Sequence, residues 1–227
     1  MSLLRFFSQL PNDVFWLWFS GLMYLAMTVV FLLGPFRRER IELMQGILGF
    51  LAGMASFHLL MGASMYWTNT TLAILAAFGA ITGSAFLLKF PLLVLPSLAV
   101  RKSLFYGALA IGWLLMIWLL LFQGGLQTAM MTGAIYMIVV SGTISGFYIV
   151  WKGFHLEDPA LKVKCIGGGC SILSCCFLAH LIVLTVGLNV FAKTFIVLAP
   201  VALIVVVYLA RMMERQKMVA ASPSPSG

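Results

Sequence analysis

Charge is scarce in this chain. Of 227 residues only 9% are Asp, Glu, Lys or Arg, where a soluble globular domain carries about 25%. Acids are scarcer than bases, and all six can be placed. Asp13, Glu39, Glu42, Glu157, Asp158 and Glu214 lie in loops or at the ends of apolar runs, and none lies at mid-run. Proton relays through membranes run on Asp, Glu and His, so this inventory argues against an active proton pump. Strict apolar–polar alternation in short segments is also missing, which argues against a strand barrel. The four cysteines (Cys165, Cys170, Cys175 and Cys176) fall in one apolar run. That placement does not suit a secreted disulfide framework, and the spacing matches no zinc pattern. No nucleophile, base and orienting group converge at any depth, so no enzyme is expected. No internal repeat is apparent, which weakens the inverted-repeat transporter reading.

What the chain has is apolar length. Hydrophobic residues make up 63% of it, and a membrane span needs roughly 20 of them in a row. Seven runs qualify: 14–34, 41–62, 72–98, 104–124, 128–150, 163–187 and 190–211. They are rich in Gly, Ala and Ser, as suits close helix packing in lipid. The expected fold is therefore all-α, a seven-transmembrane helix bundle in the lipid bilayer of a cell inner or plasma membrane. Residues 1–215 form the membrane domain, and 216–227, ending AASPSPSG, reads as a disordered tail. Span one is long and lacks a small-residue cleavage site, so no cleavable signal is expected. Arg37, Arg38, Arg40, Arg101, Lys102, Lys152, Lys162, Lys164, Arg211, Arg215 and Lys217 follow the odd-numbered spans, whereas the other side has only Arg5 and Lys193. This asymmetry puts the C-terminus in the cytoplasm and the N-terminus outside. The net charge of +8 then reports topology, and no nucleic-acid partner is expected.

Lys89 stands apart, inside FLLKFPLLVLP at 86–96. With span three ending at 98, it lies about nine residues from the inner end, roughly 14 Å deep. Pro91 has no N–H, so the Leu87 carbonyl loses its helical partner and is one acceptor for the ammonium. A snorkelling or carbonyl-satisfied lysine, an aldehyde-binding neutral amine and an anion-attracting charge are the three readings. His58 and His180 are distant from each other in sequence and lack a carboxylate, a weak basis for a metal; hydrogen bonding to a neighbouring helix is the plainer role. The cysteines read as small apolar residues. Gly167-Gly168-Gly169 reads as a packing or bending point, and Asn69-Thr70-Thr71 as an outer-side glycosylation sequon relevant only in a eukaryotic host.

Several segments taken in order resemble the microbial rhodopsins, closest to the proteorhodopsin and xanthorhodopsin branch. ASFHLL at 55–60 is similar to the segment carrying the family's span-two His, and His58 falls on it. FPLLVL at 90–95, LLMIW at 114–118, and GTIS at 142–145 followed by FYIV are similar to spans three, four and five. Leu188-Asn189 matches the entry to span seven, and the pattern runs ungapped to Arg211.

The departures carry more information. In this register the retinal-bearing lysine becomes Pro200 and the span-seven aspartate Ile196. The span-three arginine becomes Thr82, the proton-accepting aspartate Ala85, the following tryptophan Phe86, a threonine Lys89 and the donor carboxylate Pro96. The pocket's Trp, Tyr and Pro become Cys170, Leu173 and Ser174. Thr82, Ala85, Phe86 and Lys89 share a helical face that lines the pigment pocket in the family. The resemblance implies a lysine-less homologue without covalent cofactor: a non-pumping binding or regulatory protein, or an oligomer partner of its own kind or of a functional rhodopsin. The alternatives are a Schiff base relocated to Lys89, noncovalent retinal or carotenoid binding, an anion transporter or channel, and a sensory input module.

Overall fold

A computed structural model describes residues 10–33, 41–122 and 126–221. Among these the chain is helical, with no strand. Seven helices are long and apolar enough to cross a membrane. We number them α1 (Asn12–Leu33), α2 (Ile41–Trp67), α3 (Thr70–Leu92), α4 (Leu98–Phe122), α5 (Leu126–Phe154), α6 (Pro159–Val186) and α7 (Val190–Ala221). Short connections make neighbours antiparallel, so the ends of α3 and α5 and the starts of α4 and α6 lie together. We call this the basic end. The chain is thus a multi-pass integral membrane protein.

Packing closes α1, α2, α3, α5, α6 and α7 into a ring, with α4 outside it against α3 and α5. The tightest seam joins α2 to α3. A Cβ on Gly53 would overlap Gly83 Cα, and one on Gly49 would overlap the Phe86 ring. In lipid, where apolar surface gains nothing by leaving the solvent, such backbone approach drives helix association. Gly167 and Gly169 act alike, against Val206 and against Val150 with the Gly146 carbonyl.

Caps and breaks set the helix ends. The sequon residue Asn69 caps α3, its Oδ1 accepting from Thr71 N–H at 2.9 Å and Leu72 N–H at 3.4 Å. Asp158 caps α6 in the same way, accepting from Ala160 N–H at 2.8 Å. Gly187 ends α6 at φ 86°, a conformation that side chains disfavour.

Two boundaries differ from the sequence expectation. Span three ends at Leu92, not at 98. Pro91 and Pro96 deny it backbone donors, and the chain continues in turns closed by Val94 N–H to Pro91 O and Leu95 N–H to Leu92 O. The apolar run simply continued through this turn. Lys89 is accordingly only three residues from the helix end, about 4.5 Å along the axis, and not at mid-depth. At the other boundary, α7 runs to Ala221, so residues 216–221 of the expected tail are helical; 222–227 lie outside the described residues, as do Arg37, Arg38 and Arg40.

Candidate ligand cavities at the basic end

A cavity lies on each side of the helix break in α3. Leu88 interrupts the helix, and its N–H bonds Ala85 O at 3.1 Å. The Leu87 carbonyl freed by Pro91 does not receive Lys89. Ser145 of α5 donates its Oγ–H to it at 2.8 Å, and Ser145 is fully buried. Beyond the break, Phe90 lines one cavity, whereas Lys89 and Leu92 line another.

The first cavity, about 250 Å³, lies inside the ring. Its wall is apolar: Phe31 of α1, Phe50 and Leu51 of α2, Leu87 and Phe90 of α3, Ile149 of α5, Ile172 and Gly168 of α6, and Leu203 of α7. Tyr148, Cys165, Lys152 and Lys164 supply its polar groups. The lysines sit where α5 ends and α6 begins, on the basic end. Lys164 is ion-paired with Glu214 at 2.7 Å, and Lys152 Nζ lies 5.4 Å from the centroid of the Trp151 ring. The volume is just below the usual range of small-molecule sites, about 300–1,000 Å³, and an apolar wall with a few polar groups is their usual chemistry.

The second cavity, about 350 Å³, lies between α2, α3 and α4. It is lined by Gln45, Lys89, Arg101, Lys102, Phe105 and Tyr106 with Leu92, Leu93 and Leu98. Lys89 donates to Gln45 Oε1 at 3.0 Å. Its ammonium also lies 5.0 Å from the Phe86 ring and 4.7 Å from the Phe105 ring, within cation–π distance of both.

The residues singled out in the sequence therefore do not form one pocket. Thr82, Phe86 and Lys89 look towards α4: Thr82 Oγ1 accepts from Trp113 Nε1 at 3.2 Å, and Phe86 meets Phe105 at 5.1 Å. Ala85 is buried. Pro200 lies across the ring with Tyr24 and Cys175, beside a void of about 20 Å³, little more than one water requires. Ile196 is buried in the core. Leu173 packs on Gly146, Ser174 is half-buried and Cys170 is exposed. Lys89 lines the second cavity and not the first.

Between these levels the ring is filled. His58 and His180 are buried, and the Phe57 ring lies 5.0 Å from the first and 6.4 Å from the second. Both histidines bond backbone carbonyls through Nδ1–H, His58 to Met54 at 2.8 Å and His180 to Cys175 at 2.7 Å. The second bond spans five residues because Leu173–Ala179 is a π-helical segment. Tyr24 stacks on His58 at 5.4 Å and hydrogen-bonds Cys175 Sγ. So the histidines bond within their own helices, where a neighbouring helix was expected. Among the described residues, no three His, Cys, Asp or Glu converge to hold a metal.

The chain matches no family model, no curated protein and no solved structure.

The cavity residues Lys152, Lys164, Gln45, Arg101 and Lys102 were not among the site candidates. Four of them are visible in the sequence only as topology charges. Their convergence depends on where α3 stops, which the leucines after Pro91 obscure.

Proposed function

We propose that this is a non-pumping membrane binding protein of the microbial rhodopsin type, with its basic end in the cytoplasm. It holds, without a covalent bond, an elongated apolar ligand with one anionic end. The observation that carries this reading is the first cavity: an apolar chamber inside the ring with Lys152 and Lys164 among its lining residues. The apolar wall accepts the body of a polyene or acyl chain, and Lys152 attracts a carboxylate at the basic end, while Lys164 is held by Glu214. Retinoids and carotenoids belong to the same elongated class.

The described acids support the non-pumping reading. Among the described acids, Asp13 stands in the first turn of α1, Glu157 and Asp158 precede α6, and Glu214 lies in the last part of α7 beside Lys164. None stands at mid-depth to accept a proton. A Schiff base on Lys89 would hold its ligand between α2, α3 and α4, outside the chamber, so the noncovalent reading is preferred.

Gly168 provides the test. It lines the chamber, and a Cβ there meets only Leu203 Cδ1, at 3.7 Å. Gly168→Leu therefore grows into the space without striking backbone. Purified protein in nanodiscs is titrated with retinoic acid and with retinol, following quenching of tryptophan fluorescence. Saturable binding that favours the acid, and that falls at least tenfold in Gly168→Leu, is the expected result. No saturable binding, or equal binding by the folded variant, defeats the proposal. Borohydride treatment with retinal then checks for a covalent adduct, which the proposal does not allow.

A further inference from the structure

The first chamber shares its deep wall with a second space. Phe50 and Leu51 of α2, Ile172 of α6 and Leu203 of α7 line it, and the same four residues line the small void beside Pro200. The void lies farther from the basic end. On α7 its lining reaches Ala199, four residues before Leu203, about 6 Å along the axis. On α6 it reaches Cys175, three residues past Ile172, and on α1 it reaches Tyr24. Chamber and void are thus in line along the ring, with one partition between them.

Leu203 is the part of that partition that crosses from helix to helix. A Cβ built on Gly168 of α6 would meet Leu203 Cδ1 at 3.7 Å, so this side chain reaches from α7 to the α6 wall. The void beyond it suits a methyl group better than a water. At about 20 Å³ it has room for one water, but a buried water needs two to four polar partners. The polar side chains there are already engaged, Tyr24 with Cys175 Sγ and Ser171 with the Gly167 carbonyl at 2.9 Å. Short of the partition, the chamber runs from Lys164 to Ile172 on α6, eight residues or about 12 Å. An extended chain advances about 1.2 Å per bond, so about ten carbons fill that length.

We propose that Leu203 is the specificity-determining residue of the chamber, a stop that sets the length of a bound linear acyl chain at about ten carbons. This rests on the reading of the chamber as a site for an apolar ligand with an anionic end. Within that reading it narrows the ligand to a straight-chain carboxylate of medium length.

The test titrates straight-chain carboxylic acids of about six to sixteen carbons against the whole chain in nanodiscs, following tryptophan emission. Affinity rises to an optimum at about ten carbons. In Leu203→Ala the optimum moves up by about four carbons, the depth of the void, and in Leu203→Phe it moves down. The second variant decides the matter if the first does not fold. Ile149→Ala widens the chamber without bordering the void; it weakens every acid and keeps the optimum. A parallel series of n-alkanols reads the chamber without the carboxylate. Acids that bind with an optimum unmoved by both Leu203 variants overturn the stop and leave the anionic-ligand reading standing. Alkanols that show the shift while the acids do not bind uphold the stop and remove the anionic end. No length optimum in either series, or an equal shift in Ile149→Ala, overturns the stop outright.

Discussion

The middle of α3 and its basic end are built on opposite principles. Along its middle, Gly83 and the small residues around it bring the backbone against Gly53 of α2 until no side chain fits between them. Near the basic end, the same helix breaks at Leu88 and Pro91, and a cavity opens on each side. The middle is held by contact and the end by single polar bonds. In a membrane this is a useful division, because close packing stabilises helices that gain no hydrophobic energy from one another, whereas space for a ligand requires that packing to stop. The break lets adjacent residues serve different chambers: Phe90 lines the apolar one and Lys89 the cationic one.

The largest expected effect comes from forcing the seam apart. Gly53→Leu places a side chain where Gly83 backbone lies, and overpacking costs about 1–3 kcal/mol, more where, as here, backbone must give way. No folded protein is expected, read as loss of the monodisperse peak in detergent. Recovery of stable protein would mean that the seam does not hold the bundle.

Ser145→Ala separates the end from the middle. It strips the Leu87 carbonyl of the donor that replaced its helical partner. A buried acceptor left unpaired costs about 1–2 kcal/mol, seen as a lower denaturation midpoint in detergent with the fold retained. Threonine at the same position keeps the hydroxyl and is expected to recover part of the loss. If alanine unfolds as wild type does, the break in α3 is held by something else.

The smallest effect belongs to α4. A Cβ on Gly107 meets nothing within 4 Å, so Gly107→Ala is expected to leave the midpoint unchanged or raise it by up to about 1 kcal/mol. A clear loss would place α4 inside the packed ring and remove the contrast.

Much of this fold was legible in one dimension. Length and hydropathy sufficed for seven spans, because a helix in lipid must satisfy its own backbone and needs a fixed apolar length to do it. Pro91 announced that Leu87 O would be orphaned, since that loss is local. The donor was not legible, because Ser145 is 58 positions away. Lys89 illustrates the same limit. Gln45, 44 positions away, accepts a hydrogen bond from it, and aromatic rings from α3 and α4 flank it. Thr82, Ala85, Phe86 and Lys89 were expected to line the chamber that holds Pro200. Helical spacing placed Thr82, Phe86 and Lys89 correctly on one face, but the rotation of α3 about its axis decided what that face meets, and it meets α4. The π-helical segment at Leu173–Ala179 left no mark in the apolar pattern, although it sets which carbonyl His180 reaches.

The sequence by itself determined seven helices long and apolar enough to cross a membrane, and it keeps acids out of the middle of the apolar runs, because burying an unpaired carboxylate in lipid is costly. Only the tertiary structure decided where the empty space lies and which charges surround it. A cavity is the gap between several helices, and its lining depends on their rotation and on where each one stops. Those quantities are fixed by contacts between residues far apart in the chain, which no local pattern records.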